Sequence, residues 1–288
     1  MTAYSERRWT SRDGLSLYAR DYAGADGRAR LPIICLHGLT RNSKDFEDVA
    51  PLLAGGGRRV LVPDVRGRGL SASDPRPKNY QPAVYARDVL ALMDGLGISR
   101  AVFVGTSMGG LIMMALAAVR PKAVAAAILN DVGPEIAPEG AARIIAYAGK
   151  QKPVRTWDDA VEYVRGTSAV AFPGNSDADW RRFAERTFRS GEQGPEFDYD
   201  PAIAGALRAP SKWTTRLAWL LFWRLVRRRP TLLIRGVLSD IVTANLARKM
   251  KHRVPSLNIV DVPNVGHAPL LSEPEAMAAI REFLAIVP

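Results

Sequence analysis

Short apolar runs alternate with helix-period stretches along most of the 288-residue chain. Glu6 to Thr10 and Ser16 to Asp21 read as two strands joined by Arg12-Asp13-Gly14, where Asp-Gly is a hairpin signal. Six further runs are predicted strands: Pro32–Leu36, Arg59–Pro63, Ala101–Val104, Val124–Leu129, Pro230–Arg235 and Leu257–Val260. Apolar continuity of the kind seen in Ile33-Ile-Cys-Leu36 suits a strand buried on both faces of a parallel sheet. Between these runs lie predicted helices. Asp45 to Ala54 is stopped by Gly55-Gly-Gly57, and Tyr80 to Leu96 places Val84, Val89, Leu92 and Leu96 on one face before Gly97. Residues 108 to 119 end at Pro121, and Thr243–Lys251 and Glu273–Ile286 follow later. Strands and helices in this order predict a mostly parallel eight-stranded sheet with helices on both faces.

The alternation lapses from Pro134 to Arg229, a stretch with no apolar strand run but with Trp157, Trp180, Trp213, Trp219 and Trp223. It reads as a mostly helical insertion, residues 134–229, set into a core domain of residues 1–133 and 230–288. Most of the tryptophans are expected to pack the insertion, and one or two of them to line a pocket as well.

Composition changes little in this picture. A hydrophobic fraction of 47% with 24% charged residues suits a soluble globular chain. The N-terminus has no apolar stretch, and the run Leu217–Trp223 is too short for a bilayer, which needs about 20 residues. No membrane span and a cytoplasmic location are the expectation. A net charge of +11 is spread along the chain, with its only dense cluster at Arg227-Arg-Arg229, so no nucleic-acid role is expected. Cys35, the single cysteine, sits in an apolar run and reads as core; no metal-spaced Cys/His cluster occurs.

One stretch carries chemistry. In Val102-Phe-Val-Gly-Thr-Ser-Met-Gly-Gly-Leu111 a strand must reverse into a helix around Ser107. So sharp a turn leaves little room two positions either side of its apex, which accounts for glycine at 105 and 109. This Gly-x-Ser-x-Gly pattern, with His37-Gly38 after the third strand, Ser239-Asp240 after the seventh and Gly266-His267 after the last, resembles the α/β-hydrolase fold superfamily. The resemblance covers nearly the whole chain, is weakest in the insertion, and implies a helical cap inserted after strand six.

The resemblance implies site residues. A serine hydroxyl needs a base, and of three histidines His252 lies at a helix end and His37 in a turn that shapes the oxyanion site. His267, in the loop before the last helix, is the expected base. The chain order of the family, serine then acid then histidine, leaves two acids. Asp240 matches the commoner site in a Gly-x-x-Ser-Asp turn and is the expected partner; Asp131, after the sixth strand, is the alternative. The oxyanion donors implied are the backbone N–H groups of Leu39 and Met108, with His37 and Gly38 in support. Asp64-Val-Arg-Gly-Arg-Gly matches a family loop in which Arg68 replaces the usual histidine, and reads as structural. Tertiary-alcohol esters are not expected, because His-Gly-Leu stands where some lipases have Gly-Gly-Gly.

The function implied is a serine hydrolase acting on a small to medium carboxylic ester or lactone, without metal or organic cofactor and with no expectation about oligomeric state. Ser107 stands where epoxide hydrolases and haloalkane dehalogenases need a carboxylate. A carbon–carbon bond hydrolase with the same triad is an alternative, with cap arginines binding a carboxylate. It is disfavoured because such relatives often carry Trp after the histidine, where this chain has Ala268. A hydrolase-fold ligand receptor with negligible turnover is the alternative from another class.

Overall fold

The computed structural model describes residues 4–25, 30–150, 153–206 and 211–287. The N-terminal tip and parts of the predicted insertion, residues 151–152 and 207–210, lie outside the described residues.

The chain opens with β1 (Ser5–Thr10) and β2 (Ser16–Tyr22), then β3 (Ile33–Leu36), α1 (Val49–Gly55), β4 (Val60–Asp64) and α2 (Pro82–Gly95). β5 (Ala101–Thr106), α3 (Met108–Val119) and β6 (Val124–Asn130) complete the first half. β9 (Thr231–Gly236), α8 (Ala244–Arg253), β10 (Asn258–Val262) and α9 (Pro274–Ala285) form the last part, after the intervening stretch described below. These strands make one eight-stranded sheet in the order β1-β2-β4-β3-β5-β6-β9-β10. The β1–β2 and β2–β4 pairs are antiparallel and the others parallel.

Alternation along the inner strands divides the core in two. Ile34, Leu36 and Phe103 face a cluster built with α2, α3 and α8, whereas Ile33, Cys35, Val102 and Val104 face α1 and α9. Helices therefore cover both faces of the sheet, and the interior strands are buried as their apolar runs predicted.

Between β6 and β9 lie α4 (Pro138–Tyr147), α5 (Trp157–Ser168), α6 (Asp177–Thr187), the β7–β8 hairpin (Phe188–Gly191 and Gly194–Phe197) and α7 (Lys212–Val226). The hairpin is the element of this mostly helical stretch that the pattern along the chain did not predict. Its strands, Phe-Arg-Ser-Gly and Gly-Pro-Glu-Phe, are too short and polar to register as apolar runs. α5, α6 and the hairpin share a cluster around Phe172, Trp180 and Phe188. α7 instead packs on α3, with Phe222, Leu225 and Val226 buried in the main core.

The Asp64-Val-Arg-Gly-Arg-Gly loop is held from within. Arg66, 1% exposed, binds Asp88 through Nε at 2.7 Å and Nη2 at 2.6 Å, and also reaches Asp74 and Asp13. Removing the cation would leave buried carboxylates unpaired. Arg66→Leu is expected to destabilise the fold by about 3–5 kcal/mol in denaturant unfolding; a loss under ~1 kcal/mol would contradict this account.

Candidate active site

β5 lies inside the sheet and delivers Ser107 at its C-terminal edge, where α3 begins. Ser107 has φ +51° and ψ −110°, in a region that non-glycine residues seldom occupy. The two glycines make that turn feasible. A Cβ on Gly109 would lie 2.2 Å from the Leu36 carbonyl oxygen, and one on Gly105 would lie 2.6 Å from the Gly109 carbonyl carbon. α3 thus sits against the end of β3 at backbone distance, and the serine hydroxyl is left facing the loops.

His267, on the loop after β10, places Nε2 3.0 Å from Ser107 Oγ. Its Nδ1 lies 2.7 Å from Asp131 Oδ2. An ionised carboxylate only accepts, so Nδ1 carries the proton and Nε2 offers its lone pair to the hydroxyl. Asp131, fully buried at the end of β6 with φ +50°, also accepts a hydrogen bond from Ser239 Oγ at 2.6 Å. Ser239 Oγ in turn accepts from the amides of Ile241 at 3.1 Å and Val242 at 3.0 Å.

The expected acid therefore needs correcting. Asp240 does not contact His267; its carboxylate is taken by Arg143 of α4, with Nε at 2.6 Å and Nη2 at 2.7 Å. Burial raises the Asp240 pKa, but the Arg143 hydrogen bonds and charge outweigh it and hold the carboxyl below its usual range. The physical reason for the exchange is topological. β6 and β9 are parallel neighbours, so the loops carrying Asp131 and Asp240 emerge side by side. Within the Ser-Asp turn, Ser239 points to the buried side and Asp240 to the α4 side. Ser239 is the residue that sequence reasoning overlooked, although the turn containing it had been singled out.

The expected oxyanion donors lie near Ser107, one next to it in sequence and one in the wall of the same cavity. Met108 is the first residue of α3, where amides lack intrahelical acceptors, and Leu39 lines the same cavity as Ser107. Among the described residues neither amide donates to a protein acceptor. His37 is fully buried beside them. Its Nε2 accepts from Val65 N at 3.0 Å, so Nδ1 carries the proton and donates to the Gly38 carbonyl at 2.8 Å.

Arg68, 1% exposed, ties this region together. Its guanidinium donates to the Leu39 carbonyl at 2.9 Å, the Arg66 carbonyl at 2.8 Å and Tyr85 Oη at 3.0 Å. A fourth contact reaches Met108 Sδ at 3.6 Å. The side chain expected to be merely structural thus touches both segments whose amides are the expected oxyanion donors.

Ser107 and His267 open onto a cavity of about 130 Å³ whose walls include Arg41, Arg143, Tyr147, Tyr163, Thr167 and Phe183. Arg41, like Arg143, is already paired, in its case with Asp45 at 2.5 Å. None of the insertion's tryptophans lines this cavity. Trp180 is buried against Phe172 and Phe183, and Trp219 donates to Glu135. Among the described residues no group of three or more His, Cys, Asp or Glu side chains is arranged to hold a metal ion.

The α/β-hydrolase-fold family model matches residues 32–274, and the chain belongs to this family. It is 34% identical over 257 residues to a 3-hydroxybutyrate-oligomer hydrolase of Cupriavidus necator, covering 87% of each chain. It is 29% identical over 255 residues to a 2-(acetamidomethylene)succinate hydrolase of Mesorhizobium japonicum, covering 88% of this chain and 87% of that one. The crystal structure of an α/β hydrolase from Novosphingobium aromaticivorans superimposes with a TM-score of 0.91 at 45% identity, covering 99% of both chains.

His37 gives the fold a pH dependence. Burial pushes its pKa down to about 4 from an ordinary 6.5, helped by the Arg68 charge and opposed by the Gly38 carbonyl. The unfolded chain takes up a proton below pH 6.5 that the folded chain refuses until about pH 4. Stability is therefore full above the upper value and falls by up to about 3 kcal/mol as pH drops through the window. Urea unfolding at both ends of the window, with His37→Gln as control, is expected to show a loss that the variant lacks.

Proposed function

We propose that this chain is a serine hydrolase of short-acyl carboxylic esters, with Ser107 as nucleophile, His267 as general base and Asp131 as the orienting acid. The observation that carries the reading is the continuous hydrogen-bond chain Ser107–His267–Asp131. Ser107 Oγ attacks the ester carbonyl while its proton passes to His267 Nε2. Asp131 keeps the imidazole in the required tautomer and offsets the imidazolium charge. The Leu39 and Met108 amides take the negative charge that develops on the carbonyl oxygen. The tetrahedral species collapses as His267 protonates the departing alkoxide, leaving an acyl ester on Ser107. Water then gives a proton to His267 as it attacks that ester, and the acyl–Oγ bond breaks as His267 passes the proton to Ser107 Oγ, releasing the acid.

The cavity favours a small, polar but uncharged acyl group. Tyr147, Thr167 and Ser168 offer hydroxyls in its wall, whereas Arg41 and Arg143 already have their charges matched by Asp45 and Asp240. A hydroxyacyl ester suits this lining better than an acyl chain ending in a carboxylate. The similarity to the 3-hydroxybutyrate-oligomer hydrolase supports the same class. The similarity to the 2-(acetamidomethylene)succinate hydrolase supports a second reading, an anionic substrate that displaces Asp240 from Arg143.

Turnover of p-nitrophenyl 3-hydroxybutyrate, butyrate and monosuccinate separates these readings. The first two are expected to react and the third to lag by at least about tenfold; the reverse order would favour the anionic substrate. Ser107→Ala is expected to lower kcat by about 10,000-fold or more. If no ester is turned over and a fluorophosphonate fails to label Ser107, the chain is a ligand-binding relative instead.

The two acids are distinguished by substitution. Asp131→Asn should cost about 1,000- to 10,000-fold in kcat, as expected when the histidine tautomer is lost. Asp240→Asn should change kcat by less than about tenfold, because its partner is Arg143. Equal losses in the two variants would refute the assignment.

A further inference from the structure

α7 has one face in the core and one face in solvent, and the solvent face carries large apolar side chains among its cations. Phe222, Leu225 and Val226 point inward to α3. On the opposite side Trp213 is 78% exposed, Leu217 54%, Leu220 48% and Trp223 46%. Residues on a helix advance 100° per position, so these four fall within one outward arc together with Arg216, Arg224 and Arg227. Two of the arginines lie over the indoles, Arg216 at 5.7 Å from the Trp213 ring and Arg227 at 4.4 Å from that of Trp223. From Lys212 to Arg229 the sequence holds six cations and no aspartate or glutamate.

We propose that the outer face of α7 docks on an anionic lipid surface. A helix whose exposed arc interleaves Trp and Leu with long basic side chains can lie in the plane of a bilayer, its apolar side chains among the acyl chains and its cations reaching up to the headgroups. Tryptophan favours that boundary because its ring is apolar and its N–H polar. Charge decides against a second copy as the occupant. A two-fold contact through this face would bring the same cluster of cations against itself. α7 has 15 residues, and no helix among the described residues is long and apolar enough to cross a membrane, so the contact is peripheral.

The test uses the full-length protein and cosedimentation with vesicles, either phosphatidylcholine alone or with roughly one-third phosphatidylglycerol, at about 0.1 M salt. Wild-type protein is expected to bind the anionic vesicles at least about tenfold more tightly than the neutral ones, and to be weakened at about 0.5 M salt. Two variants, Trp213→Ser/Trp223→Ser and Arg224→Glu/Arg227→Glu/Arg228→Glu, should each lose at least about tenfold in vesicle binding. Both should keep wild-type turnover of a soluble ester, since none of these residues lines the Ser107 cavity. Failure of the wild type to bind anionic vesicles would overturn the proposal, as would binding that the tryptophan variant retains. So would a dimer in analytical ultracentrifugation that the tryptophan variant dissolves, which would assign the face to a second copy.

Discussion

The contact on which the site depends is the approach of α3 to the end of β3, with Gly109 against the Leu36 carbonyl. Nothing larger than hydrogen fits there, so the turn between β5 and α3 can be sharp enough to hold Ser107 at positive φ. The strain of that conformation persists because β5, an inner strand, and α3, packed by its buried face, are both fixed. The serine is therefore positioned by packing, while the groups that meet it come from loops.

Those loops converge because all the parallel strands end on one side of the sheet. β3 brings His37 to Leu39, β6 brings Asp131, β9 brings Ser239 and Asp240, and the segment after β10 brings His267. Burial then assigns roles among similar side chains. His37 and His267 both follow parallel strands of one sheet, β3 and β10, yet His37 is fully enclosed with both ring nitrogens committed to backbone groups, while only His267 has a nitrogen facing the serine. Arg68 and Arg66 likewise share a loop and divide the work, one meeting the carbonyls of Leu39 and Arg66 and the other meeting carboxylates.

Much of this was legible in the sequence. The strands and helices of the sheet region followed from period and punctuation, and the elbow followed from two glycines around one serine. The choice of acid was not legible, because Asp131 and Asp240 both follow strands that are adjacent in the sheet, and order along the chain admits either. What separates them is the side from which Arg143 approaches, and α4 lies in the part of the chain where pattern is weakest. The β7–β8 hairpin was hidden for a related reason. Four-residue strands with Arg, Ser, Pro and Glu carry no alternation to read. α7 was visible as an apolar run but not as a two-sided one, since its inner partner, α3, is remote in sequence.

The Arg143–Asp240 pair gives the insertion an anchor one residue away from the serine that supports Asp131. The Arg143 guanidinium grips the Asp240 carboxylate at two points, so α4 is tied to the turn whose serine is hydrogen-bonded to the carboxylate beside the imidazole. One wall of the cavity, where Arg143 lies, and the support of the buried Asp131 carboxylate thus meet at one two-residue turn, Ser239-Asp240.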